Sequence, residues 1–309
     1  MIMSTLIVLQ QMAVISLLVL IGVYLFKKDV VDSQTSKKLS AIVADICNPA
    51  IILASLDPNS VTSGKKVLLF AVMAGVVIHI FYVLLGAVMP LIYGVEAGKR
   101  KFYTMMMVYT NVGFIGIPVA KAVLPKEAMV YVIVCNVMYS LLFYTHGVTV
   151  LSSGKEQMNL LKVINPGTIA AVFSMVIFAF KIKLPFIIEN TINYVGNATV
   201  FLSMVLLGVS IARSDIIKGF KNKKLWLHVV FRLLLVPMAV AFAVRGVGFS
   251  KNAALGFALM SGMPVGNLPL IQAEKTGEDT DVLSSAITVT TISSVATITI
   301  LMSVLSNVL

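Results

Sequence analysis

Apolar stretches of about 20 residues recur along the whole chain, and only short polar loops separate them. A helix of about 20 apolar residues is long enough to cross the roughly 30 Å hydrocarbon core of a bilayer. These stretches lie at 4–26, 38–56, 67–92, 102–124, 128–151, 166–183, 186–211, 225–244, 251–273 and 281–306. The pattern predicts an all-α membrane protein with ten transmembrane helices and no room for a soluble domain.

The amino-acid composition is typical of a protein that is surrounded by lipid. Of the 309 residues, 59% are hydrophobic and 12% are charged, whereas soluble domains carry about 25% charged residues. The net charge of +11 would suggest a nucleic-acid partner in a soluble protein. Here the basic residues form short clusters between the apolar stretches, as is typical of loops beside anionic headgroups. We therefore expect the lipid bilayer as a partner, and no nucleic acid.

The distribution of lysine and arginine predicts the orientation in the membrane. If the amino terminus is outside, the inner loops hold nearly twice as many basic residues as the outer loops, which is the usual bias. Lys27 and Lys28 follow the first span instead of preceding it, so this span is expected to be retained and not cleaved as a secretory signal. The prediction is a multi-pass protein of the cell membrane with both termini outside.

Ten spans divide into two sets of five, residues 1–151 and 166–309, joined by a cytoplasmic linker at 152–165. Because each set has an odd number of spans, the second set enters the membrane in the opposite orientation. Inverted repeats of this kind occur in carriers whose binding site lies near the midplane, where paired helices are interrupted. The same span of each repeat should then be broken.

The fourth and ninth spans fit this expectation, because each holds a Val-Gly pair, an asparagine and a proline near its middle. Proline removes a backbone donor and glycine permits unwound chain, and the amino-terminal end of a half-helix attracts anions. Alternatively, proline and glycine are simply frequent in membrane helices, and asparagines join neighbouring helices. The predicted substrate-binding residues are Thr110, Asn111, Gly113, Pro118, Pro264, Gly266 and Asn267.

These motifs resemble the auxin efflux carrier family, which includes plant PIN-type carriers and bacterial permeases for malate and malonate. The resemblance rests on the run from Asn111 to Pro118, the Met-Pro-x-Gly run at 263–266 followed by Pro269, Asn48-Pro49, and a closing run rich in serine and threonine. Thr110 stands where the plant carriers usually have proline.

The resemblance implies a fold similar to bile acid/sodium symporters and certain sodium/proton antiporters. Such a fold has two inverted five-helix repeats, a scaffold part, and a transport part in which helices 4 and 9 cross. It also implies a small organic anion as substrate and a homodimer formed through scaffold helices.

Ionisable residues inside a span are costly to bury and are therefore functional candidates. Asp45 in the second span is either a proton- or cation-coupling group or a structural partner of a buried donor such as Arg232. His79 is a candidate proton relay. No carboxylate lies within 102–124 or 251–273, which disfavours cation exchange, although neutral oxygens could still bind sodium.

Nothing in the sequence predicts an enzyme. There is no HExxH motif, and Cys47 and Cys135 stand alone in apolar sequence, so neither a metal site nor another cofactor is expected. Three functions remain open. The first is an elevator-type carrier of mono- or dicarboxylates with its site at the crossing, the second is a sodium- or proton-coupled symporter, and the third is a membrane receptor that does not transport its ligand.

Overall fold

The computed structural model describes residues 5–57, 64–152, 164–213, 216–275, 278 and 281–309, and these ranges are helical with one isolated β-bridge. This confirms the predicted all-α class. The helices are α1 (Thr5–Lys27), α2 (Ser33–Ile42), α3 (Asn48–Leu53), α4 (Gly64–Ile92), α5 (Arg100–Val108), α6 (Ile117–Val123), α7 (Met129–Leu142), α8 (Val148–Leu151), α9 (Pro166–Phe180), α10 (Phe186–Arg213), α11 (Ile216–Lys221), α12 (Lys223–Val230), α13 (Val236–Gly246), α14 (Lys251–Ser261), α15 (Asn267–Lys275) and α16 (Asp281–Val308).

Six helical segments of the described chain are long and apolar enough to cross a membrane. Large apolar side chains are exposed along them, as on α4, where Val77 is 65% exposed. Such surfaces are stable in lipid but not in water, so the chain is a membrane protein. The six segments are Leu9–Lys27, Gly64–Ile92, Lys126–Leu151, Phe186–Arg213, Lys223–Gly246 and Asp281–Val308.

The other four predicted spans are helical but shorter or interrupted. The second comprises α2, a π-helical turn and α3, and the sixth is α9, which has 15 residues. The fourth and ninth are each split in two. The count of ten spans, the two inverted repeats and their boundaries therefore remain predictions, and residues 153–163 of the expected linker lie outside the described residues.

Helices α1, α3 and α10 form one closely packed group. A Cβ atom at Gly208 of α10 would overlap the carbonyl oxygen of Val19 in α1, and one at Gly22 would overlap that of Val205. The two helices thus approach backbone to backbone, as small residues allow in membranes. Thr199 of α10 then donates a 2.7 Å hydrogen bond to the carbonyl of Cys47, just before α3.

Helices α5 and α14 lie at the centre of the remaining helices. Every residue of α14 from Ala253 to Ser261 is buried, and so are Met105, Met106 and Met107 of α5. A helix that is buried on all sides belongs to the interior of a fold. The two interrupted spans are therefore the core elements around which the other helices pack.

Gly208→Ala should lower the thermal stability of the detergent-purified protein, because the added methyl group forces α1 away from α10. Overpacking of this kind costs about 1–3 kcal/mol. The matched control is Gly246→Ala, since a Cβ atom at Gly246 meets nothing within 4 Å. Equal melting temperatures for the two variants would contradict the close approach.

Candidate functional site

Both predicted interruptions are present at the centre of the protein. Helix α5 ends at Val108, and helical structure resumes over Val112–Val123. In the ninth stretch, α14 ends at Ser261 and α15 begins at Asn267. Proline and glycine at these positions account for the breaks, as expected.

The two unwound segments cross and bond to each other. Thr110 and Val265 form an antiparallel bridge. The N–H of Asn111 donates to the carbonyl of Pro264 at 2.7 Å, and the N–H of Gly266 donates to the carbonyl of Tyr109 at 2.9 Å. A Cβ atom at Gly266 would lie 3.1 Å from the Thr110 carbonyl oxygen, so glycine permits this close approach.

Side chains satisfy further backbone groups at the crossing. The Asn111 amide oxygen accepts a 3.2 Å hydrogen bond from the N–H of Phe114 and so caps the new helix. The hydroxyl oxygen of Thr290 in α16 accepts from the N–H of Val265 at 3.1 Å. Unwound backbone in a membrane needs such partners, because no water is available in the hydrocarbon core.

A buried arginine binds the ends of both central helices. The Arg232 side chain is fully buried. Its Nε donates to the Met107 carbonyl at 2.7 Å, its Nη1 donates to the Ser261 carbonyl, and its guanidinium lies 4.6 Å from the centre of the Tyr82 ring. The two carbonyls belong to the last turns of α5 and α14, where helix dipoles are negative. One cation therefore neutralises two helix carboxyl ends.

The interpretation that pairs Asp45 with Arg232 is wrong. Asp45 is exposed, whereas Arg232 is enclosed among Met107, Ser261 and Tyr82. No ion pair joins the two residues within the described part of the chain. Arg232 instead donates to two carbonyls and packs on an aromatic ring, while its Nη2 is buried without a hydrogen-bond partner among the described residues.

A cavity of about 190 Å³ lies against the crossing. Its lining includes five asparagine amides from five different segments and one carboxylate, but no lysine or arginine. The residues are Ala44, Asp45, Asn48, Thr110, Asn111, Val112, Gly113, Phe114, Asn136, Tyr139, Ser140, Tyr144, Asn165, Pro166, Gly167, Asn267, Leu268 and Ile271.

The structure brings only part of the predicted set to this cavity. Thr110, Asn111, Gly113 and Asn267 line it, and so does Asp45. The remaining three residues shape the backbone without lining the cavity. Pro118 lies in the first turn of α6, and the carbonyl of Pro264 accepts from the N–H of Asn111. Gly266 lies where the two unwound segments approach each other most closely.

His79 lies away from the cavity. Its Nδ1 is 2.8 Å from the carbonyl oxygen of Gly75, one turn earlier in α4, and its ring packs on Tyr82. It borders a small space whose lining shares Thr110, Val112 and Tyr139 with the cavity. A proton moving between His79 and the cavity would have to pass these three residues.

Several lining residues were not among the predicted site. Asn136, Ser140 and Tyr144 share one face of the fifth predicted span, and this polar stripe in an apolar helix was their signal. Asn165 caps α9 by accepting from the N–H of Thr168 at 3.0 Å, so the sequence Asn-Pro-Gly before an apolar stretch was the available signal for it.

Asn48 contributes one of the five amides of the cavity lining. Its Nδ2 atom lies 3.7 Å from the Cβ positions that side chains at Gly113 and Gly167 would occupy. Its Oδ1 atom is buried and has no hydrogen-bond partner among the described residues. The two glycines leave the Asn48 amide open toward the cavity.

Four π-helical turns within the described ranges surround the crossing. The first, Val43–Cys47, brings Asp45 to the cavity, and the second, Val112–Gly116, forms its wall. The third, Phe143–Gly147, holds His146, whose Nδ1 lies 2.8 Å from the Tyr109 hydroxyl, and the fourth, Phe231–Leu235, holds Arg232. Such turns are rare and often occur at functional sites.

Three helix amino termini face the cavity. The helices that begin at Val112, Pro166 and Asn267 all present their first residues to the cavity. Helix amino termini carry partial positive charge and N–H groups without intrahelical acceptors. The Asp45 carboxylate lies in the same lining and opposes the partial charge of these helix ends.

Apolar spanning helices around a polar cavity at two broken helices define a membrane transport protein. The family model described as membrane transport protein matches residues 7–302. The chain therefore belongs to this family, the one that includes the auxin efflux carriers.

Two known transporters match about nine-tenths of the chain, and a plant carrier matches a shorter part. An uncharacterised transporter of Methanocaldococcus jannaschii is 26% identical over 295 residues, which is 90% of this chain and 92% of the relative. One from Methanothermobacter thermautotrophicus is 26% identical over 307 residues, 91% and 93% of the two chains. A probable auxin efflux carrier component 1c of Oryza sativa is 27% identical over 127 residues, 40% of this chain and 22% of the relative. The relatives are transporters and not enzymes.

Arg232→Met should destabilise the protein strongly, because it leaves the carbonyls of Met107 and Ser261 buried without their donor. Losing hydrogen bonds from a charged group and leaving acceptors unmet costs about 3 kcal/mol or more. Thermal unfolding in detergent measures the loss. Arg245→Met is the control, since Arg245 is exposed and bonds only the nearby Phe249 carbonyl. A loss no larger than that of the control would contradict the assigned role.

Proposed function

We propose that the protein carries small organic anions, mono- or dicarboxylates, across the cell membrane and binds them in the cavity at the crossing. The observation that carries this proposal is that three helix amino termini and five asparagine amides surround one cavity, while Arg232 neutralises the opposing helix ends. Carboxylates accept hydrogen bonds from such donors. The absence of lysine and arginine from the lining allows weak binding and release.

The size of the cavity supports a small substrate. Pockets for drug-sized ligands measure about 300–1,000 Å³, whereas this cavity measures about 190 Å³. Tyr139 and Tyr144 provide apolar surface beside the amides. The arrangement suits a short acid with a few carbon atoms better than a large amphiphile.

The packing supports a moving site. The cavity lies between α3 and α9 on one side and the π-helical turn Val112–Gly116, α7 and α15 on the other. In the proposed ten-helix fold with inverted repeats, the first group belongs to the scaffold and the second to the transport part. An elevator-type movement of the transport part would expose the crossing to each side in turn. The scaffold helices would also form the proposed homodimer.

The direction of flux follows from orientation and charge. If both termini are outside, the amino-terminal end of α9 lies on the inner side, and the cavity opens there. An inside-negative potential then favours outward movement of an anion by about 2.3 kcal/mol per unit charge per 100 mV. Efflux is the expected direction for an uncoupled carrier.

Asp45 favours a second candidate, symport of the acid with a proton or sodium. Its carboxylate lines the same cavity as the proposed anion site, and two negative charges in one small cavity repel each other. A proton or a sodium ion on Asp45 would remove this repulsion. Because His79 lies behind the crossing, Asp45 is the better coupling candidate of the two.

Asn111→Ala and Asn267→Ala should each raise the KM for carboxylate flux in liposomes by about tenfold or more. Each substitution removes an amide from the site, and a hydrogen bond to a charged group is worth about 1.5–3 kcal/mol. Asn307→Ala is the control, because Asn307 is exposed and bonds within the last turn of α16. Full activity of both site variants would contradict this site, and saturable binding without flux in the wild type would identify a receptor.

Asp45→Asn should carry the acid but fail to accumulate it against a gradient, because the neutral amide cannot take up a proton or bind sodium. The measurement is uptake into liposomes with an imposed pH or sodium gradient. Asp29→Asn is a matched control, since Asp29 is exposed and its left-handed backbone (φ 55°) suits asparagine. Wild-type accumulation that ignores both gradients would reject coupling and leave the uncoupled carrier.

A further inference from the structure

A second, larger cavity lies at the opposite end of the helices that line the crossing. It measures about 680 Å³ and lies among the ends of α3, α6 and α9 and the beginnings of α7 and α10. We name it the basic vestibule after the charged residues of its lining, which are Asp57, Lys121, Lys126, Lys181, Lys183 and Glu189. Four lysines face two carboxylates, so the charged side chains carry a net charge of about +2 at neutral pH.

The basic vestibule is aligned with the crossing cavity. Helix α3 contributes Asn48 to the cavity and Leu53 to the vestibule, and α9 contributes Gly167 and Ile177. At 1.5 Å per residue, these pairs are separated by about 8 Å and about 15 Å along their helices. The helix Val112–Val123 and α7 also reach both spaces. The two spaces are therefore stacked along one set of helices.

A packed layer separates the two spaces. Ser174 of α9 lies in this layer and donates a 3.2 Å hydrogen bond to the carbonyl of Ile52 in α3, which ties the two helices together. The side chains that lie along these helices between the two spaces are fully buried. They are Ile51, Ile52, Ile117, Ala120, Val132, Ala171 and Ser174.

The lysines of the vestibule are only partly neutralised. Lys126 pairs with Asp57 at 3.2 Å, and Lys121 donates to the amide oxygen of Asn197 at 3.2 Å. Lys181 and Lys183 form no ion pair within the described part of the chain. Lysines outnumber carboxylates four to two in this lining, and an excess of one charge sign in a cleft raises the local concentration of counter-ions.

We propose that the basic vestibule is a second anion site, which collects small carboxylates on the side of the membrane opposite to the opening of the crossing cavity. The proposal rests on the proposed function for the identity of its ligand. The vestibule concentrates the acid by long-range attraction, and the crossing binds it through amides. Its contribution is to the rate of encounter from one side, and it falls as ionic strength rises.

Binding to the vestibule is tested without any transport. In detergent at low ionic strength, malonate is titrated against a protein that carries both Asn111→Ala and Asn267→Ala, and the melting temperature is recorded. A ligand that binds the folded state raises this temperature. We expect a residual increase that disappears when Lys181→Gln and Lys183→Gln are added. Lys27→Gln combined with Lys28→Gln is the charge-matched control, because both lysines are exposed and outside the lining.

Two outcomes of this titration overturn the proposal. One is no stabilisation of the protein that lacks the crossing amides. The other is a stabilisation that Lys181→Gln and Lys183→Gln leave unchanged. Both readings are independent of carboxylate flux, so failure of the proposed function and failure of the second site are distinguishable.

Transport provides the second measurement. In liposomes of known orientation, the double lysine variant should raise the KM severalfold for substrate added on the vestibule side. The KM from the other side and kcat at saturation should not change. The effect should vanish at about 0.5 M salt, where the Debye length is only a few ångströms. Equal changes in KM for substrate added on the two sides, or no change on either side, would overturn the assignment of the vestibule as an anion site.

A lipid phosphate shares the chemistry of a carboxylate, so a further comparison separates the two sources. The malonate titration is repeated in nanodiscs of phosphatidylcholine alone and of phosphatidylcholine with phosphatidylglycerol. Equal stabilisation in both supports a soluble acid as the occupant. Loss of the malonate effect in the anionic discs would assign the vestibule to lipid headgroups and reject the soluble ligand.

Discussion

Unpaired backbone groups in the hydrocarbon core are the constraint on which this structure depends, since each costs several kcal/mol. Two interrupted helices create such groups at the centre of the protein. The segments around Thr110 and Val265 bond to each other, and Arg232 binds carbonyls of both preceding helices. The backbone groups named here therefore find their hydrogen-bond partners within the crossing or on Arg232. Neighbouring helices pack around it.

The same arrangement separates charge across the crossing. Helix carboxyl ends meet Arg232 on one side, while helix amino ends face the cavity on the other. The cavity is lined by asparagine amides, and its proposed affinity for anions needs no lysine or arginine. The Asp45 carboxylate lies in the same lining and opposes the positive helix ends. For this reason Asp45 is the residue at which coupling to a cation is tested.

Much of the fold was predictable, but the partners of individual residues were not. Proline, glycine and asparagine in two spans predicted both breaks, because their backbone preferences are local. The proposed Asp45–Arg232 pair failed because the sequence does not show which face of a helix meets which neighbour. Asn48 and Asn165 were not predicted to share the site for the same reason, since they belong to segments more than one hundred residues apart in sequence.

The sequence by itself determined the helical class, the membrane environment and the positions of the two breaks, because hydropathy and backbone propensity act over one or two helical turns. Only the tertiary structure decided that Arg232 holds both broken helices, that five asparagines meet in one cavity, and that a basic vestibule lies beyond it. These features depend on contacts between segments remote in sequence, and local preferences do not determine such contacts.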